Sequence, residues 1–142
     1  MRYSILLLIS LFQFSFAQNS LERLETSPRH HEWVKINTNT NEINSFLVYP
    51  EVSEKVPVVV LIHENRGLND WARSMADQIA EMGYIAIAPD FLSGTAPNGG
   101  GTNDYQNSDD ARAGIYNLDP DVINDILNNN INMMIFNKKR IL

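Results

Sequence analysis

The part of this sequence best suited to chemistry is an apolar run that ends in a polar, glycine-containing turn. Residues 58–62 are apolar, and His63-Glu64-Asn65-Arg66-Gly67 follows at once. In α/β proteins, pockets gather where such strands end. Glu64 would place a carboxylate at the pocket, and the backbone N–H of Asn65 would point toward a developing oxyanion, as preorganised donors do in acyl transfer. In the alternative, structural interpretation, His63 and Glu64 only hydrogen-bond neighbouring loops.

Arg112 is the second candidate, because a guanidinium fork is suited to holding a substrate carboxylate. It lies in an acidic stretch with Asp109 and Asp110, so a solvated helix face is the alternative interpretation. Arg66 and Asp70 are close enough in sequence to predict a local ion pair in the loop.

The remaining histidines and the tryptophans predict no further site. His30 and His31 are adjacent and are interpreted as a surface pair, whereas Trp33 and Trp71 are interpreted as packing residues. No second histidine lies at a helical spacing from His63, so we predict no metal site and no cofactor. The absence of cysteine excludes disulfides, thiolate metal sites and a cysteine nucleophile in these 142 residues.

A complete hydrolytic triad of the α/β-hydrolase order cannot be assembled from these residues. That order is nucleophile, acid and then histidine, with the nucleophile in a G-x-S-x-G type elbow. No histidine follows His63, and no serine has a glycine two residues away on both sides. We therefore expect a pocket without an attacking group in this sequence.

The elements around the turn predict an α/β fold. Residues 32–38 alternate as a strand does, and a second strand over 43–49 closes at Pro50, so the two form an antiparallel hairpin. Residues 57–62 are continuous and β-branched, which is typical of a central parallel strand buried on both faces.

The clearest helix of the sequence follows the turn. Asn69 or Asp70 can cap it, and Gly83 stands just past its end. Its apolar residues recur at spacings of three and four, which leaves Asp77 on the outward face. A buried strand over 84–88 then completes a strand–helix–strand unit of a mostly parallel sheet.

The rest of the sequence is less regular. Residues 93–106 predict a long loop, and loops of such length are often functional. Two short helices follow over 108–116 and 120–127, capped by Ser108 and Asp119. Asn128-Asn129-Asn130 are poor helix formers and predict an interruption there. We therefore divide the mature chain into a domain over 18–127 and an aberrant, Asn-rich tail over 128–142.

The first 17 residues predict a signal peptide. Arg2 precedes a short apolar stretch, and Ser15-Phe16-Ala17 offers small residues before a cleavage site at Gln18. The stretch is shorter than the about 20 apolar residues that span a bilayer. We expect export to the periplasm or the medium. The net charge of −6 argues against nucleic acid and anionic lipid as partners.

In three segments the sequence resembles the dienelactone hydrolase family. The first is Ser27-Pro28-Arg29-His30 with Glu32-Trp33-Val34. The second is Val59 to Trp71, with its His-Glu-x-x-Gly-Leu-Asn-Asp-Trp pattern. The third is Ala76-Asp77 with Met82-Gly83-Tyr84-Ile85-Ala86-Ile87-Ala88-Pro89-Asp90. The resemblance covers roughly Ser27 to Leu127.

This resemblance implies an α/β-hydrolase fold and hydrolysis of small esters or lactones by a triad of cysteine or serine, histidine and aspartate. It implies that Glu64 pairs with the nucleophile in the resting enzyme and that the Asn65 N–H is one half of the oxyanion hole. Arg112 falls near a family arginine that binds the substrate carboxylate. The family's nucleophile, aspartate and histidine lie beyond the position of Leu127, where nothing in this sequence matches them.

Three hypotheses follow. The first is the N-terminal portion of an exported dienelactone-hydrolase-like protein, with a truncated α/β-hydrolase fold and no activity of its own. The second is a non-catalytic protein that binds a small carboxylate between Glu64 and Arg112. The third is a fragment that does not fold, because its partial sheet would leave an apolar strand edge open to aggregation.

Overall fold

The computed structural model describes residues 19–136, so the predicted signal peptide lies outside the described residues. The described residues form one four-stranded mixed sheet with helices on both faces. The elements in chain order are α1 (19–26), β1 (His30–Asn37), β2 (Glu42–Tyr49), β3 (Val58–Val60), α2 (Asp70–Glu81), β4 (Ile85–Pro89), a 3₁₀ turn (Thr102–Asp104), α3 (Ser108–Tyr116) and α4 (Pro120–Phe136).

The predicted hairpin and the strand–helix–strand unit are both present. Strands β1 and β2 pair antiparallel from His30 opposite Tyr49 to Asn37 opposite Glu42. Strands β3 and β4, which helix α2 connects, pair in parallel, and β4 also pairs antiparallel with β2. The resulting strand order is β1-β2-β4-β3, so the hairpin joins the parallel pair through β2.

Successive side chains of the inner strands β2 and β4 point to opposite faces of the sheet, so an apolar layer lies on each face. Phe46 and Val48 of β2 pack with Ala86 and Ala88 of β4 against the small residues of α2. Leu47, Ile85 and Ile87 face the opposite side, where Met134 of α4 covers them. Since successive side chains of a strand point to opposite faces, the two inner strands carry apolar residues on both.

Among the described residues strand β3 lies at the edge of the sheet, so the prediction of a central strand over 57–62 is wrong for this part of the chain. It is regular only from Val58 to Val60, and among the described residues β4 is its only partner. Val58 is 38% exposed and Ile62 is 63% exposed. An apolar β-branched run indicates a strand made for burial, but its position in the sheet depends on which other strands are present.

Helix α2 has the predicted ends, but one of its faces differs from the prediction. Asn69 is the N-cap, with its side-chain oxygen 3.0 Å from the N–H of Ala72, and Gly83 takes a positive φ of 92° after the helix. Asp77, predicted to face solvent, is completely buried. Helical periodicity placed it on the polar side, and the cationic side chains that cover it lie about 50 residues earlier in the chain.

Helices α3 and α4 begin close to the predicted positions. Asn107, rather than Ser108, caps α3 by accepting from the N–H groups of Asp109 and Asp110 at 3.0 and 2.9 Å. At the start of α4, the predicted cap Asp119 accepts from the N–H of Asp121 at 2.8 Å.

The predicted interruption at Asn128-Asn129-Asn130 is wrong, because α4 runs through it to Phe136. Asn130 is completely buried, accepts from the hydroxyl of Ser45 at 2.8 Å and donates to the carbonyl of Ile126 at 2.8 Å. Tertiary hydrogen bonds thus outweigh the weak helix propensity of asparagine. No helix of the described residues is long and apolar enough to cross a membrane.

Candidate functional site

The turn after β3 is a tight loop that leads directly into α2. The N–H of Gly67 donates to the carbonyl of Glu64 at 3.2 Å, and Gly67 has a φ of 73°. Only glycine adopts this conformation without strain. Since Asn69 caps α2 two residues later, the turn is fixed at both ends.

A cleft of about 320 Å³ opens in front of this turn. The predicted site residues Glu64, Asn65 and Arg112 all line it, although Arg112 comes from helix α3, more than forty residues later. The other lining residues are Arg66, Gly67, Asn69, Trp71 and Ala72. The fold therefore brings together the three residues that the sequence selected.

Two groups in the cleft have no internal partner. Within residues 19–136, the backbone N–H of Asn65 has no hydrogen-bond acceptor, and the exposed carboxylate of Glu64 accepts no hydrogen bond. A free N–H beside a free carboxylate offers one donor and one proton acceptor to a bound molecule. The free N–H is a donor of the kind that can polarise an ester carbonyl.

Arg112 lines the cleft, and its guanidinium makes an exposed ion pair within its own helix. Its Nη1 atom lies 3.3 Å from the carboxylate of Asp109, one turn earlier in α3, and the side chain is 39% exposed. Ion pairs this exposed contribute little free energy. The guanidinium can therefore exchange Asp109 for the carboxylate of a ligand, so the helix-face and the binding interpretations are compatible.

His63 has a structural role in this fold. Its side chain is buried, Nδ1 is 2.8 Å from the carbonyl of Glu64, and Nε2 is 3.2 Å from the N–H of Phe91. Nε2 must accept from that N–H, so Nδ1 carries the proton and the ring is neutral. Burial lowers the pKa of His63 and favours this neutral form. His63 therefore ties the end of β3 to the end of β4.

The predicted pairing of Arg66 with Asp70 is wrong. Asp70 pairs instead with Arg73, three residues further along α2. Once Asp70 is the first residue of a helix, its side chain lies beside the residues three and four positions later. Arg66 lines the cleft, so a third polar side chain of the turn faces the same space.

Both tryptophans are about half exposed, so the packing role predicted for them applies to one face of Trp33 and differs from what is found for Trp71. Trp71 lines the cleft and can report on its occupancy by fluorescence. Trp33 packs its ring against Phe46 at 5.3 Å between centroids, and the guanidinium of Arg73 lies 5.8 Å from the Trp33 centroid.

Two residues that position the turn were missed by the sequence analysis. Thr102 accepts from the N–H of Leu68 at 2.8 Å and donates to Asp90 at 2.6 Å. Asp90 follows β4 directly and His63 follows β3, and parallel strands end on the same edge of a sheet. The acidic residue after the second buried strand was therefore the available signal, whereas nothing in the sequence indicated Thr102.

A second groove of about 320 Å³ lies at the open edge of β3, away from the predicted site residues. Its lining is mainly apolar and comes from β3 and from residues of α4 that include Ile131, Met134 and Ile135. The groove contains no group that could carry chemistry beyond Glu54 and Lys55 at one end. Residues 19–136 contain no cluster of three or more side chains able to hold a metal ion.

Comparison with known proteins identifies the family. The family model described as "Dienelactone hydrolase family" matches residues 43–141, which is more than half of the chain. The chain belongs to the dienelactone hydrolase family. Its fold agrees with this: the solved structure m3DLH superposes with a TM-score of 0.55, at 24% identity over 71% of this chain and 42% of the other. The expected partial α/β-hydrolase fold is thereby confirmed.

Two curated relatives resemble this member of the family in sequence. YghX of Escherichia coli K12, named as a hydrolase fragment, is 51% identical over 37% of this chain and 45% of its own length. A protein of Synechocystis named as a carboxymethylenebutenolidase is 34% identical over 45% of this chain and 26% of its own length. The chain thus spans less than half the length of the curated relatives that it matches.

Proposed function

We propose that this chain forms the substrate-orienting half of a dienelactone-hydrolase-type site for a small ester or lactone, and that these residues do not break the bond by themselves. The observation that carries the proposal is the convergence of Glu64, the free N–H of Asn65 and Arg112 on one cleft. The sequence predicted a distinct role for each of these three residues, and all three line the same cleft.

The division of labour follows from the chemistry of each group. Arg112 would hold the carboxylate of the substrate, for which its planar fork is suited. The Asn65 N–H would then stabilise the negative charge that develops on the carbonyl oxygen during attack. Glu64 would hold the proton of an attacking group, as the family resemblance implies. No G-x-S-x-G elbow, no cysteine and no histidine after His63 occurs in the 142 residues, so the attacking group is missing from this half.

The expected behaviour is therefore binding of a small carboxylate without turnover. The family and the named carboxymethylenebutenolidase relative support an ester or lactone that carries a carboxylate as the ligand class. We also propose that residues 1–17 direct export, on the evidence of their composition.

Fluorescence of Trp71 tests the binding proposal. The sequence contains two tryptophans, so a Trp33→Phe background leaves Trp71 as the single reporter. Titration with benzoate and with maleate should change its emission in a saturable way. Arg112→Gln should weaken binding about tenfold or more, since a charged hydrogen bond contributes about 1.5–3 kcal/mol.

The matched control is Lys35→Gln, which removes an exposed cation that pairs with Glu42 on the hairpin, outside the cleft. It should leave the titration unchanged. Equal affinities of the Arg112 and Lys35 variants, or an emission that no carboxylate changes, would contradict the proposal.

A further inference from the structure

The turn that carries Glu64 and Asn65 is hydrogen-bonded to the side chain of Thr102, which is itself hydrogen-bonded to Asp90. We call these two side chains the latch. The Thr102 hydroxyl accepts from the N–H of Leu68 at 2.8 Å and donates to one oxygen of Asp90 at 2.6 Å. The other oxygen of Asp90 accepts from the backbone N–H of Thr102 at 2.8 Å. Asp90 therefore fixes both the backbone and the hydroxyl of Thr102.

The latch is closely fitted, with Asp90 buried and Thr102 half-buried. Leu68 is 1% exposed and Asp90 is 5% exposed. A Cβ on Gly67 would overlap the Thr102 hydroxyl, so the turn approaches Thr102 as closely as glycine permits. Because Leu68 is buried, removal of the hydroxyl would leave its N–H without this acceptor, and an unsatisfied buried N–H is costly.

The same loop also reaches the helix that carries Arg112. The Tyr105 hydroxyl bonds to Thr95 at 3.0 Å, and it lies where a side chain on Gly114 of α3 would otherwise stand. The loop over 93–106 thus contacts the Glu64 turn through Thr102 and the Arg112 helix through Tyr105. Both walls of the cleft are connected to one segment.

From these contacts we infer that Thr102, held by Asp90, is a positioning residue that sets the place of the Asn65 N–H opposite Arg112. The inference rests on the proposed function for its consequence in binding. Its structural part, that the Thr102 hydroxyl fixes the turn, stands independently. In this inference the long loop predicted from sequence holds the two walls of the cleft in place, through Thr102 and Tyr105.

Amide hydrogen exchange measured by NMR tests the structural part directly. Thr102→Val keeps the shape but removes the hydroxyl, whereas Thr102→Ser keeps the hydroxyl. Thr102→Val should speed exchange of the Leu68 amide about fivefold to tenfold, as expected for the loss of one net hydrogen bond, and Thr102→Ser should restore it. The Asn65 and Gly67 amide resonances should shift in the valine variant only.

The matched control is Thr95→Val, which makes the same change in the same loop at a hydroxyl that bonds to Leu92 and Tyr105, outside the turn. It should leave Leu68 exchange unaltered. If Thr102→Val does not fold, exchange in the wild-type chain tests the inference instead. The Leu68 amide should then exchange as slowly as the amides of the core. A fast Leu68 amide in the wild type, or equal effects of the two valine variants, would overturn the inference.

Carboxylate titration of the same variants then separates the two proposals. Thr102→Val should weaken binding severalfold without the loss of its cooperative unfolding transition, and Thr102→Ser should bind as the wild type does. Altered exchange with unchanged affinity would contradict the role in positioning. Absence of binding already in the wild type would count against the proposed function and leave the exchange result standing.

Discussion

The carboxylate of Asp77 accepts two hydrogen bonds from the guanidinium of Arg29, at 2.8 Å from Nε and 2.7 Å from Nη2. The pair joins helix α2 to the segment before β1, across 48 residues of sequence. Ser27 and His31 also bond to Asp77, at 2.5 and 2.9 Å. These partners hold the pKa of Asp77 well below its usual range, although burial opposes them.

Asp77→Asn should destabilise the fold by about 3 kcal/mol or more, because it removes the buried carboxylate that pairs with the largely buried guanidinium of Arg29. Urea unfolding followed by circular dichroism measures this. The matched control is Glu81→Gln, one turn further along α2, where the carboxylate is 58% exposed. The exposed ion pair of Glu81 with Arg23 should contribute less than about 1 kcal/mol. Similar losses in both variants would contradict the central role of Asp77.

Stability should fall as the pH drops below about 6.5, the ordinary pKa of histidine. Burial lowers the pKa of His63 in the folded chain, so the unfolded chain takes up a proton first and acid favours unfolding. The slope reaches at most about 1.4 kcal/mol per pH unit for one group. Asp77 adds a second loss only below the ordinary carboxylate range.

Urea midpoints between pH 8 and pH 5 check the histidine effect. His63→Gln cannot titrate and should give a flatter profile over that range, though from a lower starting stability. His30→Gln is the control, because His30 is exposed and its ring lies 3.8 Å from Glu32. If the His63 variant retains the full slope, another group is responsible.

Asn130→Ala should destabilise the chain by about 1–3 kcal/mol, because the buried hydroxyl of Ser45 loses its acceptor. Asn128→Ala, on the exposed side of the same helix, should be neutral or slightly stabilising, since alanine is the better helix former. Thermal unfolding of the two variants gives the comparison. Equal effects would show that the contact between Asn130 and Ser45 carries little free energy.

Expression of the full sequence with its first 17 residues tests the proposal of export. Mass spectrometry of the periplasmic or secreted fraction should find a chain that begins at Gln18. Ala17→Arg should block the cleavage, because the peptidase reads small residues at that position. A cytoplasmic chain that retains Arg2 would contradict export.

Local patterns predicted the elements of this fold well, and for a physical reason. Alternation, caps and turn residues act over a few positions, so the hairpin, α2 and its terminating Gly83 followed from the sequence. The candidate residues Glu64 and Asn65 were selected because they follow a predicted strand, and Arg112 because a guanidinium is suited to holding a carboxylate.

What the sequence did not reveal depends on contacts between distant segments. The burial of Asp77 requires Arg29, the continuity of α4 requires Ser45 opposite Asn130, and the turn requires Thr102 behind Leu68. Each partner lies more than thirty residues away, so no local period contains it. The edge position of β3 likewise depends on the arrangement of the whole sheet.

The most direct test of the central claim is the rate at which the purified chain hydrolyses aryl esters and a dienelactone. We predict no turnover above that of a Glu64→Ala variant, because we propose that these residues orient a substrate and the 142 residues contain no elbow nucleophile and no cysteine. Turnover that is lost in Glu64→Ala would contradict the claim, since it would show a complete active site within this chain.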